Sequence, residues 1–268
     1  MFENCGSAIK MDDQFRVLYW LIIRNIIVLK KVLRAHFFDA MLILFLHLFL
    51  FIKIFPLFGI DFDFVPPLFL GEMFLMFLFL QGGSYCMKIA SDIEGSTIDY
   101  HLILPISKHL LLFSYGISYM LESIVMTLPL AVLGIYVLSF FSANVSLTWL
   151  PFLGYYFLTV AFNALLFLSF AFRYSMSWLQ ANLWARRIVP MFCIGASNVP
   201  WKYITQKIPV MSYITLCNPS TYIAEGLRAT MLVGDFLPVS MCIGALLIFS
   251  IISYITLIFG IKTKLDAV

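Results

Sequence analysis

The chain has 268 residues, of which 62% are hydrophobic, 17% aromatic and only 12% charged, with a mean hydropathy of +0.98. Soluble domains carry about a quarter charged residues, so this composition excludes a water-soluble globule. The net charge of +3 is small and its basic residues are spread over separate loops, which excludes a nucleic-acid surface.

Residues 1–36 hold Lys10, Arg16, Arg24, Lys30, Lys31 and Arg34 along their whole length, the wrong pattern for a cleavable signal peptide. They are expected to stay uncleaved and cytoplasmic. At 100° per residue, Arg16, Arg24, Lys30, Lys31 and Arg34 fall within a sector of about 120°, while Phe15, Leu18, Ile22, Ile26, Leu29 and Leu33 fall elsewhere. Although Trp20, Ile23 and Ile27 dilute the charged face, the segment reads as an amphipathic interface helix on the cytoplasmic headgroups, with Arg16, Arg24, Lys31 and Arg34 facing them.

A helix needs about 20 apolar residues to cross the ~30 Å hydrocarbon core. The remainder, 37–268, reads as a transmembrane domain with six such helices, at 37–55, 67–87, 110–141, 149–172, 177–197 and 236–261. The first contains His47, the second Glu72, and the third Glu122 and Pro129. The third exceeds what a bilayer requires, so it tilts, projects or breaks near Pro129. In the fifth, only Ile188–Pro200 is free of charge, and extension back to Ser177 takes in Arg186 and Arg187, expected to be buried or paired. Between the fifth and sixth, residues 203–233 suit short re-entrant outer helices whose ends protein must shield. With the N-terminus inside, only Lys53, Lys202, Lys207 and Arg228 of the seventeen basic residues fall outside. The positive-inside rule then sets both termini in the cytoplasm.

Two segments are more specific than a generic membrane protein requires. Residues 91–104, ending before Pro105, read as a cytoplasmic helix showing Asp92, Glu94 and Asp99 to water and Ile98 and Leu102 to the membrane domain. In the second, Asn218 and Pro219 make an N-cap and first helical position, and Gly234 is a candidate stop. Within this short helix, placed just outside the membrane, Glu225 and Arg228 are three apart and can pair. The five cysteines contain no C-x-x-C pair and suggest neither a zinc site nor a disulfide framework.

These two segments resemble the membrane subunits of type-II ABC exporters, the ABC-2-type permeases. The family's cytoplasmic motif, roughly E-x-G-T-L-E-x-L-L-x-x-x-P-[IV]-S, is met by Glu94, Thr97, Asp99, Leu102, Pro105, Ile106 and Ser107, with Ser96 in place of glycine and His101 in place of an aliphatic. The outer motif, roughly P-x-W-L-x-x-I-x-x-x-N-P-L-T-Y-x-x-E-G-[LF]-R, is met from Pro209 to Arg228 by Asn218, Pro219, Thr221, Tyr222, Glu225, Gly226, Leu227 and Arg228. Ser220 stands where leucine is common, and Met211-Ser212-Tyr213 replace the Trp-Leu pair.

The resemblance implies an all-α permease of the bacterial inner (plasma) membrane that forms a homodimer among membrane lipids and receives two copies of an ATP-binding cassette ATPase subunit. Asp92, Glu94, Thr97, Asp99 and Pro105 would belong to the coupling helix that meets the ATPase. Asn218, Pro219, Tyr222, Glu225 and Arg228 would belong to an outer gate. ATP and magnesium would sit on the partner, making this chain a transport subunit without its own nucleotide site and not an enzyme. The nearest approach to a phosphate loop, Gly260-Ile261-Lys262-Thr263, lacks the required glycines. The cargo implied is amphipathic: a drug-like compound, a lipid or a lipid-linked glycan. The competing class is a secondary transporter or channel driven by an ion gradient, with His47, Glu72 and Glu122 as candidate titratable groups.

Overall fold

From Met11 to Phe55 the sequence contains neither glycine nor proline, the two residues that interrupt helices. The computed structural model, which describes residues 11–59, 61–95, 106–141, 145–146 and 148–265, carries one unbroken helix here, α1 (Met11–Phe49), 39 residues long. A π-helical turn at Leu50–Ile54 and the short α2 (Phe55–Leu57) prolong it to a turn at Gly59, whose φ of 78° suits a residue without a Cβ. The interface helix expected over residues 11–36 is therefore not a separate element but the first half of the helix that becomes the apolar stretch from Phe37. At ~1.5 Å per residue α1 is about 58 Å long, nearly twice the hydrocarbon core. Its first half is also docked on protein: Leu18 and Leu21 are buried, and Asn25 Nδ2 donates to Ser118 Oγ at 2.5 Å. Arg16, Arg24 and Lys31 are exposed on it, and the Arg34 side chain lies outside the described set.

After a 3₁₀ turn (Phe62–Phe64) come α3 (Val65–Leu68), a π-helical turn (Phe69–Met73) and α4 (Phe74–Glu94), which abut as one path. Next are α5 (Lys108–Leu138), α6 (Trp149–Arg173), α7 (Met176–Leu183), a π-helical turn (Trp184–Ile188) and α8 (Val189–Ile194). Three short helices follow, α9 (Trp201–Lys207), α10 (Pro209–Leu216) and α11 (Pro219–Met231), and then α12 (Val239–Leu265). Among the described residues the regular structure is all helical, apart from one isolated bridge between Val145 and Leu232.

Five segments are long and apolar enough to cross a membrane: Phe37–Leu57, Phe62–Glu94, His109–Leu138, Trp149–Arg173 and Val239–Lys264. This is the architecture of a multi-pass membrane protein. The crossing expected at 177–197 is not among them. Its residues form α7, the π-helical turn and α8, and the adjacent Arg186 and Arg187 dilute the apolar run at its centre. Both arginines are exposed; Arg187 donates to the Tyr174 hydroxyl and lies over the rings of Tyr174 and Trp178. The helix expected to end at 141 ends at Leu138, and it passes through Pro129 without a break.

Burial identifies the inner helices. In the Phe62–Glu94 segment and in α6, 67% of the most apolar stretch is buried, against 17% in Phe37–Leu57 and 22% in α12. The α6 helix packs on α12, α4, α5 and α11, while α1 rests chiefly on α5. Asn163 Nδ2 fastens the centre by donating to the Leu78 carbonyl at 3.1 Å and the Tyr119 hydroxyl at 2.9 Å, tying α6 to α4 and α5. Gly82 lets the buried Phe167 ring lie directly on the α4 backbone.

A methyl group at Gly82 would collide with that ring, whereas one at Gly154 meets nothing within 4 Å. Overpacking of this kind costs about 1–3 kcal/mol. Gly82→Ala is expected to lower the thermal midpoint of the detergent-solubilised protein, and Gly154→Ala to leave it unchanged.

Candidate functional site

The α11 sequence, Pro-Ser-Thr-Tyr-Ile-Ala-Glu-Gly-Leu-Arg-Ala-Thr-Met, is polar enough for a surface helix, yet every residue except Pro219 and Ala229 is buried. It is not a peripheral helix outside the bundle. It is enclosed by α12, α6 and the Phe69–Met73 turn. Its start is local chemistry: Asn218 Oδ1 accepts from Ser220 N at 3.1 Å, and Pro219 occupies the first position, where no amide hydrogen is needed. The helix ends at Met231, before Gly234, and Leu232 turns away to bridge Val145.

The polar side chains of α11 converge on one stretch of backbone, residues 191–201. Asn218 Nδ2 and Ser220 Oγ both donate to the Met191 carbonyl, at 2.7 and 2.5 Å. Thr221 Oγ1 accepts from Ala196 N at 3.3 Å. Arg228 Nη1 donates to the Ala196 carbonyl at 2.5 Å and Nη2 to the Ser197 carbonyl at 2.5 Å. Glu225 Oε1 accepts from Trp201 N at 3.0 Å, at the unsatisfied N-terminus of α9.

Glu225 and Arg228 extend this clasp to two further elements. They pair at 2.8 Å with both side chains fully buried. Arg228 Nε donates to the Pro67 carbonyl at 2.8 Å, and Glu225 Oε2 accepts from Leu237 N at 3.2 Å. The pair thus ties the start of the second apolar segment, the chain after α8 and the approach to α12. Gly71 leaves room for the guanidinium; a Cβ there would collide with it and with the Ser197 carbonyl. Tyr222 is also engaged, its hydroxyl donating to the Leu216 carbonyl at 2.8 Å and its carbonyl accepting from Tyr155 at 2.6 Å. Burial lowers the proton affinity of Arg228, and the adjacent Glu225 carboxylate opposes that shift.

At the other end of the bundle, Glu94 Oε1 accepts from Met176 N at 2.7 Å, so its carboxylate caps the first turn of α7. Lys264 Nζ donates to the carbonyls of Ala171 and Tyr174, at 3.0 and 2.6 Å, capping the C-terminus of α6. Tyr174 stacks on Trp178 with ring centroids 4.0 Å apart, and Arg187 covers both. The corner between α6 and α7 is therefore held by α4, α12 and the Trp184–Ile188 turn together. Asp92 sits on the last turn of α4, on the wall of a recess facing α1 and α5. Thr97, Asp99 and Pro105 lie outside the described residues, as does most of the helix expected over 91–104.

The sequence does not disclose Gly71, Pro67 or Trp201 as partners of the Glu225–Arg228 pair, because two of the three contribute only backbone and the third only empty space. Lys264 reads from sequence as one more basic residue near a membrane surface, not as a helix cap. His47 Nδ1 lies 2.9 Å from the Ile43 carbonyl one turn back, and Glu72 is within electrostatic reach of His47. No model of a known protein family, no curated protein and no solved structure matches the chain.

Removing one member of a buried ion pair leaves an uncompensated charge and costs about 3–5 kcal/mol, whereas replacing both by apolar groups costs less per residue removed. Glu225→Leu is expected to unfold a large share of the protein in detergent. The double variant Glu225→Leu/Arg228→Met should be no less stable than this single variant, as read by thermal unfolding.

Proposed function

We infer that the chain is the membrane subunit of a type-II ATP-binding cassette exporter, working as a homodimer with two separate ATPase subunits to move an amphipathic substrate out of the cytoplasm. The observation that carries this reading is the Asn218–Arg228 motif: its polar residues work as a set, joining three separate parts of the chain at one end of the bundle. A set of residues matched only by chance in an arbitrary loop has no reason to share partners.

In this reading the chain crosses the membrane six times, with the α7–α8 segment as the fifth crossing inside the dimer, both termini in the cytoplasm of a bacterial cell and the Arg228 end outermost. The 91–104 segment meets the ATPase. Glu94 is then more than a charged contact for a partner. Its bond to Met176 links the segment to the corner between α6 and α7, so that displacement by the ATPase reaches α4 and the α6–α7 corner together. Four of the five Arg228 N–H groups and both Glu225 oxygens are hydrogen-bonded, so the clasp would move as a rigid unit, holding the outer end closed until the helices beneath it reorient. ATP and magnesium are bound by the partner chain.

Two measurements test this. Cys217 is exposed beside the clasp, so in a background lacking the other cysteines it is expected to react with a membrane-impermeant maleimide in intact cells. Labelling only after lysis would reverse the orientation. In the presence of the ATPase subunit, Glu94→Lys/Asp99→Lys is expected to abolish stimulated ATP hydrolysis while Cys217 labelling, and hence insertion, persists. Wild-type stimulation in that variant would sink the exporter assignment.

A further inference from the structure

At the Glu94 end, α1, α4 and α5 do not close on one another. Two adjoining recesses of about 260 and 290 Å³ open between them, sharing Tyr85, Lys88 and Glu122. Arg24 and Asp92 line the first and Asp39 the second. Among the described lining residues, two cations thus stand with three carboxylates; Arg24, Lys88 and Asp39 are exposed, and Asp92 and Glu122 are half-buried. Glu122 lies within the apolar segment His109–Leu138, where ionisable groups are costly and mark pathways or ligand sites, and Asp39 stands exposed at the start of Phe37–Leu57. Among the described residues no ion pair joins Lys88 to Asp39, Asp92 or Glu122.

Three features narrow the ligand. No group of three His, Cys, Asp or Glu side chains among the described residues comes close enough to hold a metal ion, so the spread carboxylates suit a larger cation. Tyr85 and Tyr115 line the first recess, and aromatic faces attract ammonium groups. In the second recess Phe77, Leu80 and Met126 continue the wall in hydrocarbon, fitting an attached apolar tail. We propose that this double recess between α1, α4 and α5 binds the ammonium headgroup of an amphiphilic amine, with the headgroup between Asp39 and Glu122 and the tail along Phe77 and Met126. The site deepens the export reading by naming the class of cargo, and rests on that reading only for the direction of transport.

The test is equilibrium binding to the isolated chain in detergent, which needs no ATPase, so its failure and a failure of ATPase coupling are separate results. The probes are spin-labelled octadecylamine and the matching octadecanol and octadecanoic acid, read by the immobilised fraction at neutral pH. The amine is expected to bind about tenfold more tightly than the alcohol, and Glu122→Gln and Asp39→Asn each to remove most of that preference, a loss of about 1.4 kcal/mol. Lys88→Met should leave amine binding unchanged or tighter. Asp39 is exposed, so Asp39→Asn carries the test if Glu122→Gln does not fold. Equal binding of amine and alcohol, or an undiminished preference in Asp39→Asn, overturns the proposal. With either expected loss in hand, displacement of the amine by phosphatidylethanolamine vesicles and not by phosphatidylglycerol vesicles assigns the site to a lipid headgroup, and displacement by neither assigns it to a free amphiphilic amine.

Discussion

Burying a charge in a protein that is itself surrounded by lipid leaves no water to fall back on, and the Arg228–Glu225 pair sets the terms for one whole end of this molecule. A guanidinium and a carboxylate can be enclosed together only when their remaining hydrogen-bonding capacity is met. The structure meets it with backbone: the carbonyls of Pro67, Ala196 and Ser197 and the amides of Trp201 and Leu237. These groups lie in turns or at helix ends, where regular structure leaves them unpaired. The pair and the irregular backbone therefore satisfy each other, and each explains why the other is tolerated away from water.

The opposite end is organised differently. Its polar groups are shared between capping duties, as with Glu94 and Lys264, and a recess in which, among the described residues, Lys88 makes no ion pair with Asp39, Asp92 or Glu122. One end is densely hydrogen-bonded and the other retains capacity. Under the export reading, that asymmetry matches a membrane subunit whose outer end is a lid and whose inner end receives both the cargo and the mechanical input. The long inner helices α4 and α6 connect the two, joined by Asn163 near their middle.

Much of this was legible in the residues, and what was not has a physical reason. The apolar runs announce the membrane helices because lipid imposes a minimum length. Asn218 and Pro219 announce the start of α11 because capping is local. Glu225 and Arg228 announce a pair because three residues apart is one helical turn. Their remaining partners are main-chain atoms 31, 32 and 161 residues from Arg228, and a carbonyl has no residue type to recognise. The interface helix expected over 11–36 runs on into the apolar stretch from Phe37 for a related reason: a change from amphipathic to apolar composition alters what surrounds a helix, but without glycine or proline it does not end one. The recess arises where Asp39, Lys88 and Glu122, unremarkable singly, come from three helices to one place. Arg186 and Arg187 obscure the α7–α8 segment, because the length rule presumes a continuous apolar run.

The capping bonds also impose an order on biosynthesis. The α6 carbonyls at Ala171 and Tyr174 wait for Lys264, 93 and 90 residues further on, while Glu225 waits for the amide of Leu237 and the Pro67 carbonyl waits for Arg228. The Glu94 end of the bundle therefore remains open until the ribosome has nearly finished α12, whereas the Arg228 end has these partners once Leu237 is made. A nascent chain stalled within that helix leaves the last carbonyls of α6 without their Lys264 cap, the kind of exposed polar surface that membrane quality-control proteases engage. Helix α12 thus acts as the seal that separates a closed bundle from a degradable intermediate.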